Sequence, residues 1–589
     1  MKKTFLTFLF FFSIFGVYTQ TIEEIYDLEF KSFGKSYRGD WTNSGIHFRF
    51  SIDSTESIDG KNPLKITSSP INRGSKERSF NFSRTIVLPQ YKKGDICSVS
   101  INSKSENFTD WRFYVKGLDE NEQTVSFDSL FIENKTWKVH SMSFPLFKEK
   151  AVRIMIRFSD KTPKNDQNAW IDKIKIFING RNINEDNLNY ISNETSLTLN
   201  EKKIINLSCS NNVVSKIPDI RNKKIIGLGE CTHGSIEIKN ACYQFIRALV
   251  SEQDCNIIIL ERAPDMCLKW DLFINGIDTE ELENEIKQEL GCIFDDSVFF
   301  LDFLKWLRNY NKLSKTKVRI FGVNTLANPK LFLFDYFRLI LHDTYSLPYL
   351  RLLQDNKYNE ISKLISSDPN IQLIMNKTDI RYLKFLLKEF DISSTIFASK
   401  NDNREINMWR RMDEILRLYS KPFGKAVLYA HSSHTNNESD FFYDVDREPS
   451  LGNFISQKYK NDYFSIGFQV GNGEYTQDES SFYSKTIKDK LQTPYITSFE
   501  YSALRTKIPY FYFPTTQLPN DISSIRAVGR ERKKTNQFFF CSLKNRFHGL
   551  VFIENSTELN KIEQYPFFYT NGFMQIKNAK QKKLLNSLQ

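Results

Sequence analysis

From about residue 22 to 180 apolar side chains recur with a period of two. Val152, Ile154, Ile156 and Phe158 alternate with Arg153, Met155 and Arg157, and Trp170, Asp172, Ile174, Ile176 and Ile178 repeat the spacing. Shorter runs of this kind, such as Trp111 to Val115 and Thr124 to Phe127, are separated by turn clusters like Asp59-Gly60-Lys61-Asn62. A strand turns every second side chain toward one face, so many short alternating runs with turn signals predict an antiparallel β-sandwich of jelly-roll type. Trp41 and Trp111 within it are read in two ways, as core or as a ligand platform, and core is the commoner fate of a tryptophan there. Residues 181–200 are polar, rich in Asn and without a period, which reads as a linker.

Past residue 200 the pattern changes. Strand-length apolar runs, Lys224-Ile225-Ile226, Ile257 to Leu260, Val318 to Phe321, Ala426 to Tyr429, Phe464 to Phe468 and Leu550 to Phe552, recur between amphipathic helices. After the first run, Ile238, Ala241, Cys242, Phe245, Ile246, Leu249 and Val250 keep helical spacing. Strands alternating with helices predict an α/β domain over 201–570, built on an open, mainly parallel sheet with flanking helices. Between about 326 and 420, Leu, Ile and Phe continue at helical spacing with no strand signal, a helical insertion or cap over the sheet.

Length and composition fit this division. A chain of 589 residues exceeds what one compact core accommodates, and 40% apolar with 26% charged residues is an ordinary globular composition. The formal net charge of +11 comes from dispersed basic residues. The two tightest runs, Arg530-Glu531-Arg532-Lys533-Lys534 and Lys577 to Lys583, carry no interleaved aromatics, so no nucleic-acid partner is expected. Met1-Lys2-Lys3 followed by the apolar run Phe5 to Val17 reads as a signal peptide over residues 1–19. The run is short for a bilayer span and no cysteine follows it to carry a lipid. An exported product, periplasmic or secreted, with no membrane span after signal removal is expected. The eight cysteines show no CxxC or other metal-knuckle spacing and mostly sit in apolar settings, which predicts mainly free, buried thiols.

In an open α/β sheet, ligands bind beyond the carboxyl ends of the strands. There the first run is followed by Gly227-Leu228-Gly229-Glu230-Cys231-Thr232-His233-Gly234, the second at once by Glu261, and the fourth by His431-Ser432-Ser433-His434. The protein has only seven histidines, and three of them stand at two of these strand ends. Each residue alone has a bland reading: a glutamate after a strand marks a solvated end, and a histidine there is usually structural. Their joint placement at one sheet edge favours chemistry. Serine-esterase chemistry lacks its GxSxG elbow, nucleotide chemistry lacks GxxxxGK[ST], and the Gly227/Gly229 start of a dinucleotide fingerprint meets Thr232 at its third position. Two Glu and three His suit zinc or iron in kind, but HxxH off a helix and ExxH in a loop are not the helical HExxH device. No metal or other cofactor is assigned.

These residues resemble the erythromycin esterase family over about 220–560. Gly229-Glu230-Cys231-Thr232-His233-Gly234 is similar to its GExTHG, and Ile259-Leu260-Glu261 to its strand ending in Glu. Phe303-Leu304-Lys305-Trp306-Leu307-Arg308-Asn309-Tyr310-Asn311 is similar to FLxWLRxYN, and Ala430-His431-Ser432-Ser433-His434 to AHNxH. Ser465-Ile466-Gly467-Phe468 with Gly473-Glu474-Tyr475 is similar to the closing strand and its glycine loop. The resemblance implies metal-independent hydrolysis, best known for macrolide lactones. It implies His233 as general base, Glu230 and Glu261 orienting it or the water, and His431 and His434 lining the same cleft. Arg404, Arg411 and Asn324 are the candidate substrate-binding residues. Three positions depart from the pattern: Cys242 where the family often has Arg, Arg411 where RDxxMAxN has Asn, and Ser432 where AHNxH has Asn. A basic residue missing at 242 and present at 411 reads as a compensating swap, or as altered substrate or lost activity. The N-terminal sandwich lies outside this resemblance. It is similar to the carbohydrate-binding-type jelly-roll modules of secreted enzymes, with Ala169-Trp170-Ile171-Asp172-Lys173-Ile174 as the final strand, which implies a glycan partner.

The sequence thus predicts an exported hydrolase of a small-molecule carboxylic ester or lactone working through histidine-activated water. Two alternatives stay open: a non-catalytic ligand- or metal-binding protein of the same fold, and a metal-dependent hydrolase.

Overall fold

The period-two region folds into two antiparallel sheets. In the computed structural model, residues 21–587 are described except 32–40, 45–47, 57, 59–60, 69–77, 109–110, 120–122, 161–166, 187–196, 209–212, 278–279, 294–296, 327, 397–403, 421–423, 439–448, 479–485, 530–536 and 560–570. The signal-like segment therefore lies outside the described residues. The strands are β1 (Thr42–Ser44), β2 (Phe48–Ile52), β3 (Leu64–Ser68), β4 (Arg78–Val87), β5 (Ile96–Glu106) and β6 (Trp111–Leu118). They continue with β7 (Thr124–Phe131), β8 (Lys138–Pro145), β9 (Ala151–Asp160), β10 (Asn168–Ile178) and β11 (Arg181–Asn182). One sheet has the order β1-β4-β9-β6-β7, and the other β2-β3-β10-β5-β8 with β11 on β10.

Phe82, Ile156 and Phe113 lie side by side across the first sheet and point at Ile66, Val99, Ile101 and Ile174 of the second. This is the alternation the sequence displays, with one face of each sheet removed from water. Trp41 and Trp111 belong to this core, at 1% and 0% exposure, and Trp41 stacks on Phe82 with ring centroids 4.7 Å apart. Neither ring is available to a ligand, because both faces are spent on packing.

The second region carries β12 (Ile205–Asn206), β13 (Ile225–Glu230), β14 (Cys255–Leu260), β15 (Arg319–Gly322), β16 (Lys425–His431) and β17 (Tyr463–Asp478). Beyond these come β18 (Thr486–Lys490), β19 (Tyr510–Pro514), β20 (Ser523–Arg526), β21 (Phe538–Cys541) and β22 (Gly549–Ser556). The sheet order is β12-β19-β22-β17-β13-β16-β14-β15, with β18 on β17, and β20 pairs separately with β21. All pairings from β22 to β15 are parallel, and β12, β18 and β19 join antiparallel.

A parallel sheet is buried on both faces. Ile226, Leu228, Ile258, Leu260 and Val427 pack into one core with helices Ile236–Gln253, Pro264–Ile274 and Ser297–Leu313. Their neighbours Ile225, Ile257, Ile259, Ala426 and Leu428 face a second core. That second core is closed by the helices Pro329–Gln354, Tyr358–Ser367, Lys377–Ile396 and Arg404–Tyr419, through residues such as Phe334, Phe337, Met408 and Met412. The helices between β15 and β16 are thus a layer on one sheet face.

The two regions touch through apolar side chains. Tyr495, Ile522 and Phe538 of the second region pack into the core cluster of the sandwich, and Lys150 pairs with Asp521 at 3.4 Å. Six cysteines, Cys97, Cys231, Cys242, Cys255, Cys267 and Cys541, are buried free thiols, as their apolar settings predict. Cys209 and the side chain of Cys292 lie outside the described residues. Among the described residues no helix is long and apolar enough to cross a membrane.

Candidate active site

Parallel pairing puts Glu230 and His431 in register at the carboxyl ends of β13 and β16, and the chain leaving β14 delivers Glu261 beside them. Glycine makes the close approach achievable. A Cβ on Gly229 would meet Ser432 Cα at 2.9 Å, and one on Gly234 would meet the Thr476 carbonyl oxygen at 2.1 Å. Without side chains at these two positions, the Glu230–His233 loop nests between the His431–His434 turn and β17.

Glu230 is buried at 3% exposure and accepts from three sides. His233 Nδ1 lies 2.6 Å from Oε1, Lys239 Nζ donates to Oε1 at 2.8 Å and Oε2 at 2.7 Å, and the Tyr429 hydroxyl donates to Oε2. Burial alone would raise this carboxyl, but Lys239 and His233 hold it well below the usual carboxylate range. The His233 side chain itself is 31% exposed. With Nδ1 turned to the carboxylate, Nε2 is the nitrogen that meets solvent.

Glu261 anchors the other half. It accepts from the His431 backbone N–H at 2.8 Å and from Arg404 at 2.6 Å, and His434 Nε2 lies 3.2 Å away. Against the upward push of burial, His434 and Arg404 hold its carboxyl well below the ordinary range. His434 Nδ1 lies 2.7 Å from Glu405 Oε1. Burial opposes a charge there, but Glu405 and Glu261 win and push the imidazole up to about 10. His431 goes the other way: burial, with His233 beside it, lowers it well below the usual imidazole range. Its Nδ1 is 2.9 Å from Ser433 Oγ, and its ring centroid is 5.1 Å from that of His233. One edge therefore holds a neutral histidine, a cationic histidine and a third histidine open to solvent.

All five residues expected from the strand ends come together. Arg404 joins them, 43% exposed, with Nε donating to Asn324 Oδ1 at 3.0 Å and Nη1 lying 3.1 Å from His434 Nε2. Arg411 does not join them. It is 7% exposed and donates to the main-chain carbonyls of Val323 at 3.2 Å and Asn324 at 2.9 Å, with Glu389 at 3.6 Å. Its contact with substrate is thereby corrected to support of the strand end that carries Asn324. The swap of charge between positions 242 and 411 fails for the same reason. The cation beside Glu230 is Lys239, three residues before Cys242 on the same helix face. Sequence reasoning missed Lys239, Tyr429 and Glu405. Lys239 did leave a signal, since it falls on the helix's apolar stripe, where a lysine needs a buried partner.

Among the described residues, Glu285, Glu289 and Asp335 form the one group of three carboxylates, thiols or imidazoles close enough to share an ion. Lys269 and Lys577 already pair with it. At the Glu261 site the cationic His434 has no lone pair to give a metal.

The fold is an α/β sheet with a carboxylate–imidazole cluster at its carboxyl edge. Residues 381–556 match the erythromycin esterase family model, which takes in Arg404, Glu405, His431 and His434. The match stops short of Glu230, His233 and Glu261. No curated protein matches the chain. Among solved structures, a Bacillus cereus protein is 19% identical with a TM-score of 0.48, covering 64% of this chain and 100% of its own. The erythromycin esterase EreC, a mutant in its open conformation, is 17% identical with a TM-score of 0.41, over 59% of this chain and 94% of its own. A carbohydrate-binding module in complex with β-1,4-galactotriose is 15% identical with a TM-score of 0.18, over 24% of this chain and 92% of its own.

Proposed function

We propose that the protein hydrolyses a small-molecule carboxylic ester or lactone with water activated by His233. The observation that carries this reading is the solvent-open His233 ring held through Nδ1 by the buried Glu230 carboxylate at 2.6 Å. A carboxylate on Nδ1 fixes the tautomer whose Nε2 carries a lone pair. Nε2 takes a proton from water as the oxygen attacks the ester carbonyl. The protonated ring then returns that proton to the departing alkoxide, which leaves an acid and an alcohol. Arg404 and the cationic His434 supply positive potential for the oxyanion formed in between. No serine or cysteine nucleophile enters, so no acyl-enzyme forms.

Assay of the purified protein with short acyl esters and a macrolide tests the reaction, and His233→Asn tests the base. Asn keeps a hydrogen bond but cannot take up the proton, so turnover should fall about 10²–10⁴-fold with folding unchanged. Full activity in His233→Asn overturns the mechanism. Loss of wild-type activity on chelation, restored by metal, moves the protein to the metal-dependent class.

The reading extends to export through Met1–Thr19, checked by the N-terminal sequence of the mature protein. A glycan on the sandwich would meet exposed rings such as Phe127 and Phe131, because Trp41 and Trp111 are buried. Loss of glycan retention in Phe127→Ala checks that.

A further inference from the structure

Lys239 is a buried lysine on the face of helix Ile236–Gln253 that packs into the core, at 3% exposure. Placing an ammonium there costs several kcal/mol of hydration unless a partner compensates it. Its partner is Glu230, gripped through both oxygens at 2.8 and 2.7 Å, and its Nζ lies 5.2 Å from the Tyr429 ring centroid. Glu230 in turn is the residue that holds His233.

We propose that Lys239 is a positioning residue that acts on His233 through Glu230, supplying the countercharge that keeps this buried carboxylate ionised and so keeps the imidazole in its Nδ1–H form. The inference rests on the ester-hydrolase reading only for its kinetic consequence.

A buried carboxyl with no cation beside it takes up a proton, since burial penalises the charged form. A neutral Glu230 would donate toward Nδ1, the ring would carry its own proton on Nε2, and the solvent-facing nitrogen would lose its lone pair. Lys239 prevents this. It also limits how strongly the ring holds a proton: a bare carboxylate at 2.6 Å favours the imidazolium, and a cation on the far side of that carboxylate offsets the effect. Tyr429 donates to Glu230 but brings no charge. The other titratable or charged groups facing the pair are Cys242 on the same helix, Cys231 after β13, His431 at the end of β16 and Glu261 after β14. Of these, Cys231 and Cys242 are thiols raised above their ordinary range, His431 is neutral, and Glu261 is already engaged by Arg404 and His434. None of them replaces the Lys239 charge.

The test is Lys239→Met, which keeps the length and removes the charge, read by ¹⁵N NMR of His233 and by the pH–rate profile. Removing a cation raises the proton affinity of the Glu230–His233 pair as a whole. The first protonation should therefore move up by about one unit or more, the usual size for a charge at this distance. The acid limb of kcat should move with it, kcat at neutral pH should fall at least about tenfold, and KM should change little. Lys239→Arg should restore the acid limb toward its wild-type position. A folded Lys239→Met with an unmoved His233 titration overturns the proposal. Should that variant fail to fold, the wild type decides: an Nε2–H tautomer of His233 at pH 8 overturns the proposal, and an Nδ1–H tautomer supports it. The NMR readings need no substrate. An inactive wild type with a shifted His233 titration in Lys239→Met therefore refutes ester hydrolysis and leaves the Lys239 role standing.

Discussion

His434 is clamped between two carboxylates, with Nδ1 2.7 Å from Glu405 and Nε2 3.2 Å from Glu261, and all three side chains are largely buried. The imidazole is raised from its ordinary 6.5 to about 10, so the folded protein binds its proton more tightly than the unfolded chain. That contribution to stability is complete below about pH 6.5 and is lost as pH rises through about 10. Glu405→Gln removes one clamp and should destabilise the protein by about 3 kcal/mol at neutral pH, the scale for breaking a buried pair. Unfolding by urea at pH 6.5 and at pH 10 checks this. The gap between wild type and variant should shrink at the higher pH, and an equal gap at both would show that the pair carries no charge.

Arg411 has a different task from the one its motif position implies. Its guanidinium holds the Val323 and Asn324 carbonyls, and Asn324 in turn accepts from Arg404. Arg411→Ala should therefore cost about 2 kcal/mol in stability, the price of two carbonyls left without a buried donor. It should also raise KM through a loosened Arg404. Thermal unfolding and steady-state kinetics measure both, and an unchanged Tm would reduce Arg411 to spare charge.

The acid side of the site has the opposite sign. Glu230 and Glu261 are both held well below the ordinary carboxylate range, so their contribution is present above about pH 4.5 and is lost as pH falls below that value. Glu261→Gln should flatten the fall of Tm between pH 5 and 3. A slope equal to that of the wild type would place the acid sensitivity elsewhere.

The central strands were legible because burial on both faces demands continuous apolar runs, as in Ile257–Leu260. The antiparallel additions were not. Tyr510-Phe511-Tyr512-Phe513-Pro514 of β19 mixes aromatics with a terminal proline, and β18 reads Thr486-Ile487-Lys488-Asp489-Lys490, a polar edge strand with one apolar residue. The five strand-end residues were legible because a Glu or His directly after an apolar run has few structural reasons to be there. What connects them was not. Glu405 pairs with His434 across 29 positions of sequence, and only the fold brings helix Arg404–Tyr419 against the turn after β16. Arg411 shows the limit of motif position, since a helix residue one turn off the cleft turns its charge to the backbone behind it.

The sandwich and the α/β domain share apolar contacts at Tyr495, Ile522 and Phe538, while Glu230, His233, Glu261, His431 and His434 all lie in the second region. A chain beginning at residue 197 should therefore keep its turnover of a short ester but unfold at lower temperature and bind a hydrophobic dye through the uncovered patch. Loss of turnover in a soluble, folded fragment would show that the sandwich contributes to the site.

Two glycines set the distance between the halves of the site. At Gly234 an added Cβ would stand 2.1 Å from the Thr476 carbonyl oxygen and 2.6 Å from its nitrogen, both backbone atoms of β17 that have no rotamer to yield. The Gly234 carbonyl also accepts from the Thr476 N–H at 2.9 Å, so relieving the clash stretches that bond. The loop must then back away from β17 and carry His233 with it, and a displacement of about 1 Å at a reacting group can cost about 10²-fold in rate. Gly234→Ala should lower both kcat and Tm. Gly180→Ala is the control: it too is a glycine, at φ +79°, with nothing within 4 Å of its Cβ and a location in the sandwich, so it should lower Tm by backbone strain and leave kcat alone. If Gly234→Ala keeps kcat within about twofold while Tm falls, the contact with β17 supports the fold but does not set the position of His233.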